Sequence, residues 1–145
     1  MSLITLTDPR SPVSEAYRTL RTNLSFYSLD DPIRTLVVTS AEPNEGKSTA
    51  VANLAVTMAQ AGNRTILVDC DLRRPSLHTL FDVDNTSGFT QAVLSEGRDI
   101  VLQPTSVENL SVLTSGVKPP NPADILGSRK VDSIIALLKE QADIV

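Results

Sequence analysis

The residues most suggestive of chemistry lie between two short apolar runs. Residues 41–48 read Ala-Glu-Pro-Asn-Glu-Gly-Lys-Ser, which matches the phosphate-binding loop pattern with alanine in place of the first glycine. Successive backbone N–H groups in such a loop, and the dipole of the helix after it, stabilise a polyphosphate. The candidate nucleotide-binding residues are Pro43, Asn44, Glu45, Gly46, Lys47, Ser48 and Thr49.

Each polar residue of this loop has a defined task. Gly46 lets the backbone pass close to the phosphates, and Lys47 bridges the β- and γ-phosphate oxygens. Ser48 offers a hydroxyl to Mg²⁺, and Thr49 is placed to reach the α-phosphate. The competing interpretation is an ordinary helix with a polar first turn. The apolar run before the loop and the helical pattern after it favour a phosphate site.

Two carboxylates follow the next apolar run. Asp69 and Asp71 stand at the carboxyl end of a predicted strand, where open α/β sheets bind ligands. Residues two apart on a strand point the same way, and clustered acids repel unless a cation lies between them. Mg²⁺ bound with nucleotide phosphates supplies that cation, and one acid can accept a proton from an attacking hydroxyl. The alternative is a pair of solvated acids capping the turn before residues 73–75.

The elements around these motifs form a strand–helix–strand unit. Residues 35–39 and 65–68 predict buried strands, and residues 47–61 predict a helix closed by Gly62. Such a unit implies a parallel sheet. A third buried strand begins at residues 142–145. The predicted fold class is therefore α/β, with a mostly parallel sheet flanked by helices and incomplete at the C-terminus.

The regions outside this unit are mostly helical. Residues 1–10 predict an extended arm, followed by a helix that Ser11 caps and that ends near residues 30–32. One side of this helix is apolar: Val13, Ala16, Tyr17, Leu20, Leu24 and Tyr27. The other side carries Glu15, Arg18 and Arg21. Further helices are expected at 76–81, 88–95, 123–126 and 131–140, and short strands at 100–102 and 110–113.

Composition excludes several classes. Thirteen basic and seventeen acidic residues give a net charge of −4, which argues against nucleic-acid binding through backbone phosphates. An apolar fraction of 41% is ordinary for a folded domain, and no apolar run approaches the 18 to 20 residues of a membrane span. Cys70, the single cysteine, excludes an intrachain disulfide and is expected to face the core, while His78 is expected to be an ordinary helix residue. With no signal peptide recognisable at the N-terminus, these features predict a cytoplasmic protein.

Together the motifs resemble a known family, the bacterial tyrosine kinases of exopolysaccharide and capsule synthesis. Residues 11–24 resemble the N-terminal signature of that family, residues 41–49 its Walker A motif and residues 66–75 its Walker A′ motif. Residues 113–116 and 119–126 resemble the segment before its last catalytic strand. The resemblance covers essentially the whole chain, in the family's order.

The resemblance implies a P-loop fold related to the MinD and ParA ATPases. It implies ATP with Mg²⁺ as phosphate donor and protein tyrosine as acceptor. Carried over by motif, Lys47 and Ser48 hold phosphate and Mg²⁺, Asp69 accepts the tyrosine proton, and Asp71 is the acid on the metal side. Which aspartate takes which role stays open.

The resemblance also implies partners. Glu15, Arg18 and Arg21 match the family's E-x-x-R-x-x-R element, which joins subunits into a ring; from the residues alone they would be a solvated helix face. A membrane-anchored partner, a polysaccharide co-polymerase or activator, docks its cytoplasmic tail on the kinase. The chain is accordingly expected at the inner face of the cell membrane.

Two departures from the family pattern matter. Residues 143–145 resemble the start of the Walker B strand, whose metal-binding Asp does not follow, and Tyr17 and Tyr27 are not a tyrosine-rich tail. Residues 1–145 are therefore expected to be the front part of one kinase domain, with an arm and oligomerisation helix at 1–31 and a nucleotide-binding core at 34–145. Alone, this part is expected to bind nucleotide weakly, with little or no kinase activity.

Two alternative functions remain. One is a MinD/ParA-type ATPase that positions cargo; such proteins carry a second lysine five places before the P-loop lysine, where this chain has Glu42. The other is a non-catalytic subunit that binds ATP and contributes only to assembly.

Overall fold

The fold consists of seven helices and three strands within the residues described, which are 2–27 and 29–145 of a computed structural model. In chain order the elements are α1 (Ile4–Thr7), α2 (Pro12–Tyr27), α3 (Lys47–Gln60), β1 (Thr65–Val68), α4 (Leu77–Phe81), α5 (Phe89–Leu94), β2 (Gln103–Pro104), β3 (Leu110–Leu113), α6 (Pro122–Leu126) and α7 (Lys130–Gln141). The α/β prediction is confirmed, and α3, β1, β3 and the four later helices lie within a residue or two of their expected bounds.

The sheet has the order β1-β3-β2. β1 and β3 are parallel, with Thr65 opposite Leu110 and Val68 opposite Leu113, and β2 is antiparallel to β3. Aliphatic side chains of α3 cover one face, and those of α5 and α7 cover the other. The carboxyl ends of β1 and β3 therefore open on one common edge, and α3 starts beside it.

The predicted buried strand at residues 35–39 is not found. These residues form no strand, and Val37 is 81% exposed. The segment bonds to Val145 through the Leu36 N–H, and the preceding Arg34 accepts the Val145 N–H through its carbonyl, each over 2.9 Å. A β-branched run becomes a buried strand only where partners pair with it along its length, and the described residues pair with it at one end.

The third strand expected at residues 142–145 is present as a single parallel bridge, between Thr65 and Ile144. Ile66 N–H donates to the Ile144 carbonyl over 3.0 Å. Ala142 and Ile144 are buried, as predicted. These last residues therefore lie between β1 and the segment 35–39, and both neighbours bond to them.

The N-terminal arm is helical rather than extended. α1 is held by tertiary bonds, because the buried Thr5 donates its N–H and its hydroxyl to Asn53 of α3 over 3.1 and 2.7 Å. Ser14, also buried, donates to the Ile4 and Asp8 carbonyls. These contacts join residues far apart in the sequence and cannot be predicted from local patterns. The prediction of an extended arm is wrong for this reason.

α2 is present and Ser11 caps it, since the Ser14 N–H donates to the Ser11 hydroxyl over 3.1 Å. The predicted end of this helix near residues 30–32 is not tested, because the segment that leads to it includes Ser28, which lies outside the described residues. The predicted faces are partly wrong. Leu24 packs inward with Arg21 and Tyr17, whereas an apolar stripe stays exposed: Val13, Ala16, Leu20 and Tyr27.

One small strand is displaced. The strand expected at residues 100–102 lies instead at Gln103–Pro104. Ile100 and Leu102 pack against the apolar cluster under α7, while the Gln103 amide bonds the backbone of Asp84 on both its N–H and its carbonyl. Packing and a side-chain clamp, rather than apolar alternation, decide the position of this edge strand.

Candidate nucleotide site

The phosphate loop has the backbone that anion binding requires. Asn44 and Gly46 both lie in the left-handed region, with φ of 62° and 79°, and α3 begins directly after, at Lys47. Asparagine and glycine are the residues that reach this region most easily. The helix start leaves its first N–H groups without intrahelical acceptors at the rim of the loop.

Carboxylates of the chain itself occupy two donors at this loop. Glu45 Oε2 accepts the Glu42 N–H over 3.1 Å, and Asp71 Oδ2 accepts from Lys47 Nζ over 2.8 Å. The second contact places a carboxylate oxygen against the Lys47 amine, which the loop motif assigns to phosphate oxygens.

Lys47 and Asp71 are brought together from positions 24 residues apart. Their side chains are 30% and 27% exposed, so the pair lies at the mouth of the site. Asp71 Oδ1 also accepts the Arg74 N–H over 3.0 Å. Partial desolvation alone would raise the pKa of Asp71, but its bonds from Lys47 and Arg74 outweigh that effect and lower the pKa below its usual value.

Asp69 is more deeply buried than Asp71, and within the described residues its carboxylate has only backbone partners. It is 4% exposed, and its carboxylate accepts three backbone N–H groups, from Asp71, Ser76 and Leu77, at 3.0 to 3.1 Å. Burial raises its pKa, the three N–H bonds work against that rise, and the charge of Asp71 adds to it. The alternative of acids that cap the following turn is thus realised too, although Asp69 is buried rather than solvated.

A cavity of about 390 Å³ leads from the phosphate site into the sheet. Its walls are residues 35–39, β1 and the inner face of α3, and Lys47, Asp69 and Asp71 line it as well. Ile144 and Val145 close its far end and bond to both sides, so β1 and the segment 35–39 stand two strand spacings apart, about 10 Å. The cavity is a slot with the width of one strand.

The donors for a metal ion are few. Among the residues described, no group of three or more His, Cys, Asp or Glu side chains could hold one. The Ser48 hydroxyl, one residue from Lys47, and the Asp71 carboxylate are the hard oxygen donors that Mg²⁺ takes from a protein when phosphates and water complete its shell. The residues present therefore fit a nucleotide-bound Mg²⁺, not a metal held by protein alone.

Of the remaining candidates, Cys70 lies at this edge between Asp69 and Asp71, whereas Glu15, Arg18 and Arg21 lie on α2. Glu15 and Arg18 form an ion pair of 3.0 Å, and Arg21 Nη1 donates to the Thr57 carbonyl of α3 over 2.8 Å. Cys70 is exposed, contrary to the expectation that it faces the core. His78 lies in α4, as expected. Within the described part of the chain, no helix has both the length and the apolar character needed to cross a membrane.

With this geometry established, the class of the protein follows from its match to a family. Residues 33–142 match the ParA family model, described as NUBPL iron-transfer P-loop NTPase. The chain therefore belongs to the ParA family of P-loop NTPases, which confirms the predicted fold.

Individual relatives narrow this class. The chain is 46% identical over 129 residues to the tyrosine-protein kinase YwqD of Bacillus subtilis, covering 88% of this chain and 54% of YwqD. It superimposes on the chimerical protein CapA2B2 with a TM-score of 0.91 at 38% identity, covering 99% of this chain and 63% of that one. The kinase domain of Escherichia coli ETK gives a TM-score of 0.91 at 29% identity, over 99% and 56%.

These matches confirm the resemblance to bacterial tyrosine kinases. They also fix its extent, because the chain spans between about half and three fifths of the length of the curated relatives YwqD and CapB. In sequence and fold it corresponds to part of a bacterial tyrosine-kinase domain.

Proposed function

We propose that the chain is the nucleotide-binding part of an ATP-dependent protein tyrosine kinase that acts in exopolysaccharide or capsule synthesis. The observation that carries the proposal is the 2.8 Å contact of Lys47 with Asp71, beside a loop whose backbone is set for phosphate. The choice of protein tyrosine as the acceptor is supported by relatives that are named tyrosine-protein kinases.

The residues have distinct tasks in this proposal. Lys47 exchanges Asp71 for phosphate oxygens when a nucleotide enters, and the loop N–H groups hold the remaining oxygens. Ser48 and the released Asp71 would hold Mg²⁺, which supplies charge neutralisation across the transferring phosphate. The protein contributes mainly position and electrostatics, since phosphoryl transfer needs little covalent help.

The slot bears on how much activity these residues alone provide. Asp69 and Asp71 are the aspartates among its lining residues, and among the residues that the structure describes no strand covers the side chains of α3 and β1 along the slot. We therefore expect the 145-residue chain to bind nucleotide weakly and to transfer phosphate slowly. An extended strand in line with Ile144 and Val145 would fill the slot and reach the phosphate edge.

Self-association through α2 is part of the proposal. The exposed stripe of Val13, Ala16, Leu20 and Tyr27 is an apolar helix face suited to a second subunit. The ion pair of Glu15 with Arg18 flanks it. Leu20→Asp should reduce any oligomer in sedimentation velocity, whereas Val117→Asp, at an exposed position outside α2, should not.

A partner with a membrane anchor would bring the kinase to the inner face of the cell membrane. This element of the proposal rests on the resemblance of the chain to the family. It predicts that the chain co-sediments with vesicles only when such a partner is embedded in them.

The experiment that tests the function compares products. The chain is incubated with labelled ATP, Mg²⁺ and a tyrosine-containing polymer, and both phosphotyrosine and free phosphate are measured against Lys47→Ala. Phosphotyrosine as the main Lys47-dependent product, even at a low rate, supports the kinase. Free phosphate as the main product would favour a ParA-type ATPase, and nucleotide binding without either product would favour a non-catalytic assembly subunit.

A further inference from the structure

We infer that the N-terminal arm, residues 2–10, positions the nucleotide-binding turn of α3 through one buried contact, from Thr5 to Asn53. Both are positioning residues: neither lines the cavity at the phosphate site, and their contact sets the orientation of the helical turn that begins at Lys47. The inference rests on the proposed function, because that turn is the part of α3 assigned to phosphate and Mg²⁺.

The first support is the bonding of the Asn53 side chain, which joins the arm to the start of α3. Asn53 Oδ1 accepts the Thr5 N–H over 3.1 Å and the Thr5 hydroxyl over 2.7 Å, and Asn53 Nδ2 donates to the Thr49 carbonyl over 2.9 Å. A side-chain amide oxygen accepts two hydrogen bonds. The arm therefore supplies both bonds to this oxygen, while the nitrogen of the same amide holds the first turn of α3.

The second support is the burial of this contact. Thr5 and Asn53 are both 0% exposed, and Leu3 of the arm, 4% exposed, belongs to the same apolar cluster as Ala52 and Val56 of α3. A buried amide that loses its partners also lacks water to replace them, so Asn53 favours the arrangement in which the arm is docked. Apolar packing brings the arm to α3, and the buried amide fixes its position along the helix.

The third support is the place of Asn53 on the helix. Residues 52–59 of α3 are all buried, whereas residues 47–50 are partly exposed at the edge of the site. The core thus holds the helix from Ala52 onward, and the turn before it extends toward the phosphate loop. Asn53 belongs to the held part, and its bond to the Thr49 carbonyl reaches into the turn that extends.

The arm has a second attachment, which keeps Thr5 in place. The hydroxyl of the buried Ser14, in α2, lies within hydrogen-bond distance of the Ile4 and Asp8 carbonyls, at 3.2 and 2.7 Å. These carbonyls lie on either side of Thr5 in the sequence, so the arm meets Asn53 as a fixed element. A change at Thr5 should therefore be transmitted to the first turn of α3.

The test is nucleotide affinity in variants that alter the Thr5 hydroxyl. Thr5→Val keeps the size of the side chain and removes the bond of 2.7 Å, so with a fluorescent ATP analogue and Mg²⁺ we expect about fivefold weaker binding. Thr5→Ser keeps the hydroxyl and should bind within about twofold of the unmodified chain. Thr7→Val is the matched control, because the Thr7 hydroxyl bonds the Leu3 carbonyl within the arm, and it should leave affinity unchanged.

A second substitution tests the route of the effect. Asn53→Leu replaces the amide by an apolar group of similar volume and removes the contact between the arm and the turn. In that background Thr5→Val should change ATP affinity less than about twofold, because residues that act through one contact are not additive. A further loss of about fivefold there would overturn the inference, since the arm would then act by another route. A lower melting temperature of Thr5→Val with unchanged ATP affinity would overturn it too, because the contact would then stabilise the fold without positioning the site.

The unmodified chain offers a test that needs no variant. Coupling between two sites is reciprocal, so a bound nucleotide should in turn stabilise the docked arm. With ATP and Mg²⁺ present, the Thr5 amide, which donates to Asn53 Oδ1, should exchange its hydrogen more slowly than without them. Equal exchange rates at saturating nucleotide would overturn the inference.

Hydrogen exchange also tests the inference without nucleotide. The Ala50 N–H donates to the Gly46 carbonyl over 2.9 Å and so reports on the junction of the phosphate loop with α3. Thr5→Val should speed the exchange of this amide, whereas Thr7→Val should not, and an unchanged rate in Thr5→Val would overturn the inference. If the unmodified chain binds no nucleotide, the proposed function fails, whereas the Ala50 amide still decides whether the arm positions the turn.

Discussion

The two ion pairs of Lys47 with Asp71 and of Arg64 with Asp143 lie at opposite ends of β1 and have nearly the same length, 2.8 and 3.0 Å. Their surroundings differ. The side chains of the first pair are 30% and 27% exposed, and they lie beside the phosphate loop. The second is 62% and 43% exposed, and Asp143 also accepts the backbone N–H of Arg64 over 2.7 Å.

The difference shows which pair a ligand can exchange. Asp71 is replaceable at Lys47, because a polyphosphate offers the lysine more negative charge and Mg²⁺ offers the aspartate a new partner. Among the residues described, no phosphate-binding loop lies beside Arg64 and Asp143 to offer them other partners. Their ion pair stabilises the contact of residues 142–145 with β1. The pair of Lys47 with Asp71 can therefore open when a ligand binds, whereas the pair of Arg64 with Asp143 contributes only to the fold.

Lys47→Ala breaks the first pair and should have the largest effect. Removing a charged donor to phosphate should weaken ATP binding on the order of 100-fold. Binding of a fluorescent ATP analogue, followed by anisotropy, measures this loss. Arg64→Ala is the control for charge and should change affinity less than about twofold; equal losses in both variants would end the distinction drawn here.

Asp71→Asn separates the two roles of the first pair. Without Mg²⁺, nucleotide should bind several-fold more tightly than to the unmodified chain, because Lys47 no longer has to leave a carboxylate. With Mg²⁺, the gain in affinity that the metal normally provides should largely disappear. Titrations with and without Mg²⁺ give both values, and weaker binding under both conditions would contradict the exchange of partners.

The sequence alone predicts those parts of this site that depend on local structure. The phosphate loop is recognisable because its donors are consecutive backbone groups before a helix. The meeting of Lys47 with Asp71 follows from the predicted helix and the strand after it, because the start of α3 and the carboxyl end of β1 lie at the same edge of the sheet. The burial of the Asp69 carboxylate among backbone N–H donors was not predictable, because these donors depend on how residues 70–77 fold back.

The same distinction explains the errors in the fold. α1 depends on bonds from Thr5 to Asn53, 48 residues away, so nothing in its own residues announces a helix. The stripe at Val13 and Leu20 looks like a core face, yet α2 packs through neighbours that include Arg21. Periodicity gives the existence of a helix but not the direction in which tertiary contacts turn it.

Low pH should affect the two ion pairs in the same direction, so it distinguishes them less than the substitutions do. Both Asp71 and Asp143 have a pKa below the ordinary 3.8, held there chiefly by their cationic partners against partial desolvation, so each stabilises the fold above that value. This contribution is lost as the pH falls below 3.8 through the folded-state pKa of each group. Burial raises the pKa of Asp69, so its ionisation opposes folding as the pH rises above 3.8, and stability should not decline between neutrality and about pH 5 on its account. Thermal unfolding between pH 3 and 7 measures both the loss of stability in acid and the effect of ionising Asp69. A steep loss of stability already at pH 6 would contradict these assignments.

Asp143→Asn should have the smallest effect. Asparagine keeps a side-chain oxygen for the Arg64 N–H and removes only the charge of an exposed pair, whose contribution to stability is small in water and smaller in salt. We expect the melting temperature to change little, with the remaining difference shrinking as salt is added, and ATP affinity to stay within about twofold of the unmodified chain. A salt-independent loss of stability would mean that the carboxylate, rather than the backbone bond, joins residues 142–145 to β1. A fall in ATP affinity would mean that this end of β1 communicates with the phosphate loop, and the two pairs would then act as one unit.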